Sequence, residues 1–186
     1  MRSKFIVGFG GLKFAGKTTA ANVVQRMFAE HVEVMSFATP VKQTCKDLFL
    51  LSDAQVSDPD LKEIIDTRWN KSPRQLMQLL GTDFVRKMVD DRFWVKRLEE
   101  EVFHSKKPII IIDDVRFEEE ARVCDYLFMV HRKGQVNIDA HSSENPPYHL
   151  SYCDLINNYD TVQDYERYIR GSLATRIVQE QINEGV

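Results

Sequence analysis

Short apolar runs alternate along this chain with stretches whose apolar residues recur every three or four positions. The first run, residues 4–9 (Lys-Phe-Ile-Val-Gly-Phe), reads as a strand. From Lys17 the spacing of Ala20, Val23, Val24, Met27 and Phe28 predicts an amphipathic helix. Residues 32–37 read as a second strand, and residues 40–50 as a second helix. Residues 52–70 are polar, contain Pro59 and show little periodicity, so they read as loop or broken helix. Ser72-Pro73-Arg74-Gln75 then signals a helix start, with Ser72 as cap, Pro73 in the first turn and Gln75 reaching back. Leu76, Leu79 and Leu80 should give that helix its buried face, and Gly81 should stop it.

Residues 91–103 carry Trp94, Leu98 and Val102 at helical spacing, which favours a core role for Trp94. The strongest strand signal is Ile109-Ile110-Ile111-Ile112, four β-branched residues in a row. Such a run fits a strand buried on both faces at the centre of a parallel sheet. A short helix over 118–123, a strand over 125–130 and a short strand over 154–156 follow. The final helix should start at a Thr161/Asp164 capping box and turn Tyr165, Ile169 and Leu173 inward. Alternating strands and helices predict an α/β fold with a parallel sheet.

Composition narrows the class. The chain has 186 residues, 43% hydrophobic and 28% charged, which suits one globular domain able to bury its own core. A net charge of -3 gives no global field for nucleic acid or an anionic membrane, so neither is expected as a partner. Any anionic ligand must be held by local arginines and lysines. Cys45, Cys124 and Cys153 are far apart and show no zinc spacing; they read as reduced, mostly buried thiols of a cytoplasmic protein. No apolar stretch approaches the roughly 18 residues of a membrane span, and the N-terminal run is short for a signal peptide.

The chemistry is concentrated after the first strand. Gly11-Leu12-Lys13-Phe14-Ala15-Gly16-Lys17-Thr18 is a complete Walker A pattern, continued by Thr19. Its glycines let successive backbone N–H groups curl inward onto phosphate oxygens, and the helix that follows adds its positive end. In this pattern Lys17 neutralises the β- and γ-phosphates and the Thr18 hydroxyl holds Mg²⁺, so ATP and magnesium are the expected cofactors. Asp113 and Asp114 follow the isoleucine strand, where an acid orders the magnesium shell; Asp114 is preferred because it opens Asp-Val-Arg-Phe. A kinase also needs arginines over two polyanions. Arg116 and Arg132 end strands at the edge where ligands bind in such sheets, and Arg74 and Arg86 join them as candidates. His141 and Glu144 form a weaker acid/base candidate, since phosphoryl transfer depends on positioning more than on proton removal.

Several segments together carry a family resemblance. They are Ser36-Phe37-Ala38-Thr39-Pro40, the Leu79-Leu80-Gly81-Thr82-Asp83 stretch with Arg86, Asp114-Val115-Arg116-Phe117, and Asp154-Leu155-Ile156-Asn157-Asn158. In order and spacing the chain resembles the bacteriophage deoxynucleoside monophosphate kinases, with dephospho-CoA kinases as more distant relatives. The resemblance implies a three-layer P-loop fold with a five-stranded parallel sheet and helices on both faces. The core would be 1–51 and 106–186, with an acceptor-binding helical excursion at about 52–105 and a lid at about 132–150. It implies a donor site from Gly11 to Thr19, with Asn157 near the adenine. Arg74, Gln78, Asp83 and Arg86 would face the acceptor monophosphate, joined by Arg68, with Arg116 between the two substrates and Arg132 over ATP. Thr39 departs from similar sequences, which often carry an acid there. The expected reaction turns ATP and a deoxynucleoside monophosphate into ADP and the diphosphate. A different small acceptor such as dephospho-CoA, or a slow nucleotide-dependent switch, is the alternative, and the chain could be a monomer or a homodimer.

Overall fold

The computed structural model describes residues 4–135 and 146–185, and these fall into two compact units, 1–36 with 98–186 and 37–97. His141, Glu144 and most of the expected lid lie outside the described residues.

The first unit is a five-stranded sheet in the order β2-β3-β1-β4-β5, every pairing parallel. The strands are β1 (Phe5–Gly10), β2 (Val32–Met35), β3 (Ile109–Val115), β4 (Tyr126–Arg132) and β5 (Cys153–Asn157). All seven residues of β3 are buried, as its isoleucine run requires. It lies inside the sheet, but the middle place belongs to β1, which pairs with β3 on one side and β4 on the other. The chain runs from β1 out to β2 and back to β3, then crosses β1 to reach β4. A crevice therefore opens at the carboxyl end of β1, where open α/β sheets bind ligands.

One face of the sheet presents Val7, Phe9, Ile109, Ile111, Phe128, Val130 and Leu155 to α1 (Lys17–Met27), α7 (Val162–Arg170) and α8 (Leu173–Glu184). Burial of one such aliphatic side chain contributes about 1.5–3 kcal/mol, so this layer is the main stabiliser of the unit. The other face carries Ile6, Ile110, Ile112, Leu127 and Met129, also buried. There a Cβ on Gly8 would come within 2.5 Å of the Cys124 Sγ, just beyond α6 (Glu118–Ala121).

The expected single C-terminal helix is two. Gly171 closes α7, and Ser172 caps α8 by accepting a hydrogen bond from the Thr175 N–H. The break rotates Leu173 outward to 39% exposure, and Ala174, Ile177 and Val178 face the core instead. The thiols are free; only Cys45 is fully buried, and burial pushes it up to about 11.

The second unit is helical: α2 (Ala38–Phe49), α3 (Asp53–Ser57), a 3₁₀ turn (Leu61–Glu63) and α4 (Pro73–Gln78). The boundary with the first unit falls within α5 (Phe93–His104), whose start is fixed by Asp90 accepting from the Arg92 N–H. The capping box of α4 forms as its sequence predicts, with Ser72 and Gln75 each accepting the other's backbone N–H. Gly81, however, does not stop the helix. The chain widens at Leu79 into a π-helix that runs through Gly81 to Val89. Two contacts explain why. Gly81 packs against Val41 of α2, where even an added Cβ would make ordinary contact at 3.4 Å, and its carbonyl accepts the Trp94 Nε1–H at 2.8 Å. The widened turn leaves Leu79 exposed, against expectation, while Leu76 stays buried.

Residues 52–70 are more ordered than their composition suggests. Trp69 donates its Nε1–H to the Phe49 carbonyl at 2.8 Å, and the Arg68 guanidinium reaches the Leu50 carbonyl at 3.3 Å. Together they satisfy carbonyls at the C-terminal end of α2, which the helix itself cannot. Asp66 anchors the same guanidinium through both carboxylate oxygens. That bond holds the Asp66 carboxyl far below its ordinary value. A carboxyl depressed in this way stabilises the fold above the ordinary carboxylate range, and the contribution is lost as pH falls towards the lowered value. Asp66→Asn should therefore lower the melting temperature at pH 7, with the gap from the parent protein shrinking towards pH 3. A gap that stays constant across that range would dissociate Asp66 from the clasp.

Candidate active site

The loop between β1 and α1 supplies the first half of the site. Gly11 has φ +128°, and a Cβ there would lie 2.3 Å from the Val130 carbonyl oxygen. Gly16 has φ +110°, and a Cβ would meet Tyr165 at 2.7 Å and Asn157 at 2.8 Å. Both positions thus require glycine for backbone shape and for space. Phe14 also takes a left-handed backbone, φ 64°, and leaves its ring half exposed under Lys13, whose ammonium stands 5.0 Å from the ring centre. The Lys17 ammonium turns back over the loop and donates to the Gly11 and Leu12 carbonyls at 2.9 and 2.7 Å. These bonds wind the loop into a cradle.

Other strands brace this loop. Asn157, at the end of β5, is buried and donates its Nδ2–H to the Ala15 carbonyl at 2.9 Å. Arg132, at the end of β4, donates to the Phe14 carbonyl at 3.4 Å, and Gln135 donates to that of Lys13. Loop, Arg132 and Asn157 border one cleft of about 370 Å³, completed by the β5–α7 turn from Tyr159 to Val162 and by Tyr165.

Two acid–hydroxyl pairs stand at the end of β3. Thr18 donates its hydroxyl to Asp113 Oδ2 at 2.8 Å, and Ser36 donates to Asp114 Oδ2 at 2.8 Å. The expectation that Asp114 lies beside Thr18 is corrected: in a strand successive side chains point to opposite faces, and Asp113 is the one turned towards α1. Arg116 is half-buried directly after β3. Its backbone N–H and that of Phe117 donate to Glu120 at 2.8 and 3.2 Å, which fixes the turn that carries its side chain.

A model of the deoxynucleotide monophosphate kinase family matches residues 49–169. The chain belongs to that family. A protein of Acanthamoeba polyphaga mimivirus, whose name carries deoxynucleotide monophosphate kinase as a provisional assignment, is 34% identical over 188 residues, covering 88% of this chain and 94% of its own. The deoxynucleoside-5'-monophosphate kinase of Escherichia phage T5 is 28% identical over 105 residues, 50% of this chain and 42% of that protein. Among solved structures, TT1252 from Thermus thermophilus superimposes with a TM-score of 0.51 at 15% identity, over 92% of this chain and 97% of that one. The last likeness concerns the fold alone.

The remaining candidates of this deoxynucleotide monophosphate kinase family member lie in the helical unit. Arg74 donates its Nε–H to Glu63 at 2.7 Å. Gln78 buries an Nε2 that meets no hydrogen-bond acceptor among the described residues. Asp83 pairs with Lys87 at 2.6 Å on the exposed side of the π-helix. Arg86 is 9% exposed and donates to the Asp91 carbonyl at 2.9 Å. Arg68 bonds Asp66 and the Leu50 carbonyl in the clasp at the end of α2. Sequence reasoning missed Asp113 as the partner of Thr18, and missed Tyr159 and Tyr165 on the cleft wall. The signal for the tyrosines was available: they follow the last strand, and Tyr165 sits on the inward stripe of α7.

Proposed function

We propose that this protein transfers the γ-phosphoryl group of ATP to a deoxynucleoside 5'-monophosphate, releasing ADP and the diphosphate. The observation that carries the reading is the cradle of residues 11–18, closed by Lys17 and set beside the Thr18–Asp113 pair, in a member of this family. The hydroxyl and carboxylate are hard oxygen donors of the kind magnesium takes, and few protein ligands are needed when the nucleotide supplies the rest. Thr18 and Asp113 would hold the ion, which when bound neutralises charge on the β- and γ-phosphates. No cluster of three His, Cys, Asp or Glu ligands exists among the described residues, and none is required for such a site.

The chain's own groups do the remaining work. The curled loop N–H groups grip the phosphates. The Lys17 ammonium exchanges its two carbonyl partners for phosphate oxygens, so charge moving to the leaving oxygen meets a cation already in place. Arg132 reaches the phosphates or sugar of the donor from the β4 side, and Arg116 stabilises the group in transfer. Arg74, Gln78, Asp83 and Arg86 face the acceptor, where Gln78 offers an amide donor and the arginines counter the monophosphate. Catalysis is alignment and charge neutralisation, with no covalent intermediate. No helix among the described residues is long and apolar enough to cross a membrane, and a cytoplasmic location fits substrates of this class.

A coupled ADP-release assay across deoxynucleoside and ribonucleoside monophosphates tests the reaction; no stimulation by any of them would overturn it. The two acids give a sharper check. Asp113→Asn should lower kcat by about 100-fold and raise the magnesium concentration needed for half-activity. Asp114→Asn should shift that magnesium dependence far less. The reverse order would return the metal to Asp114.

A further inference from the structure

Resting on the donor assignment above, we propose that Tyr159 is the stacking platform for the donor's purine base. Three tyrosine rings cluster at the β5–α7 turn and the start of α7, tilted against one another. Tyr159 is 5.4 Å from Tyr168 and 6.3 Å from Tyr165, and Tyr165 is 6.3 Å from Tyr168, with interplanar angles of 27–35°. Tyr165 is buried, and Tyr159 is the ring left 37% exposed. It lies on the wall of the cleft whose other end is the phosphate cradle. A ring supported from behind and open in front loses little freedom when a second flat ring settles on it.

The same wall holds two buried polar atoms, Tyr165 Oη and Asn157 Oδ1, that have no hydrogen-bond partner among the described residues. The amide of Asn157 is oriented by its bond to Ala15, so Oδ1 is the acceptor left over. Burial keeps the Tyr165 hydroxyl protonated and hence a donor. The exposed Phe14 ring and Arg132 line this space too, so the base enters an aromatic and cationic setting that suits a π system.

The test compares ATP with inorganic tripolyphosphate, which has phosphates and no base, by calorimetry in the presence of magnesium. Tyr159→Ala should weaken ATP binding by about 5- to 150-fold, the range of a lost base–aromatic stack, and leave tripolyphosphate binding unchanged. Tyr159→Phe should bind ATP nearly as the parent does. Equal weakening of both ligands by Tyr159→Ala, or unchanged ATP binding, overturns the platform while the donor site stands. Failure of the parent protein to bind ATP overturns the donor site and the platform with it.

Discussion

Lys17→Ala is expected to leave a folded protein whose turnover falls by about 100-fold or more. The side chain lies over the loop, where it donates to the Gly11 and Leu12 carbonyls, and it is not part of the apolar core of the sheet. Its importance lies in charge that develops during transfer. Saturating ATP and magnesium separate that role from binding: the deficit should persist in kcat when both are raised. Since Lys17 also winds the loop, ATP affinity should fall as well, by less than kcat does. Parental kcat in the variant would take the cradle out of the mechanism.

Gly11→Ala should produce the largest loss of stability of any single methyl group added to the loop. The new Cβ would stand 2.3 Å from the Val130 carbonyl oxygen, and backbone atoms of an interior strand cannot step aside as a side chain can. The left-handed φ of +128° adds strain of about 1–3 kcal/mol before the collision is counted. A total above roughly 3 kcal/mol corresponds to a fall in melting temperature on the order of 10 °C for a chain of this size. Thermal unfolding followed by circular dichroism reads this directly. Gly134→Ala is the control, because φ there is also positive, +73°, but a Cβ meets nothing within 4 Å among the described residues. Comparable losses in the two variants would mean that φ alone matters and the contact with Val130 does not.

The sheet was legible because its signals are local. Four isoleucines in a row, or a glycine-rich turn between a strand and an amphipathic helix, announce themselves without knowledge of the partner. The same holds for the Ser72/Gln75 box, whose two bonds span three residues. What escaped depends on contacts distant in sequence. Gly81 looked like a stop because its conformational freedom is visible and its approach to Val41 and Trp94 is not. Asp113 and Asp114 are equivalent as letters, and only the pleat of β3 against α1 chooses between them. Arg68 carries the right charge for a phosphate, and its bonds to Asp66 and to the end of α2 could not be read from that charge. Tyr165 reads from its spacing as an ordinary core position, and its approach to Gly16 is a product of folding.

The π-helix from Leu79 to Val89 bears on how roles pass between relatives. A helical wheel drawn for an α-helix advances about 100° per residue, while a π-helix advances about 80°. Errors accumulate along the segment, so that by Arg86 the wheel misplaces a side chain by roughly 140°. Two kinases of this kind can share the letters of that stretch and present different residues to the acceptor, if one winds it as α and the other as π. A single-residue gap in an alignment here is therefore a change of face, and only the winding tells which arginine points where.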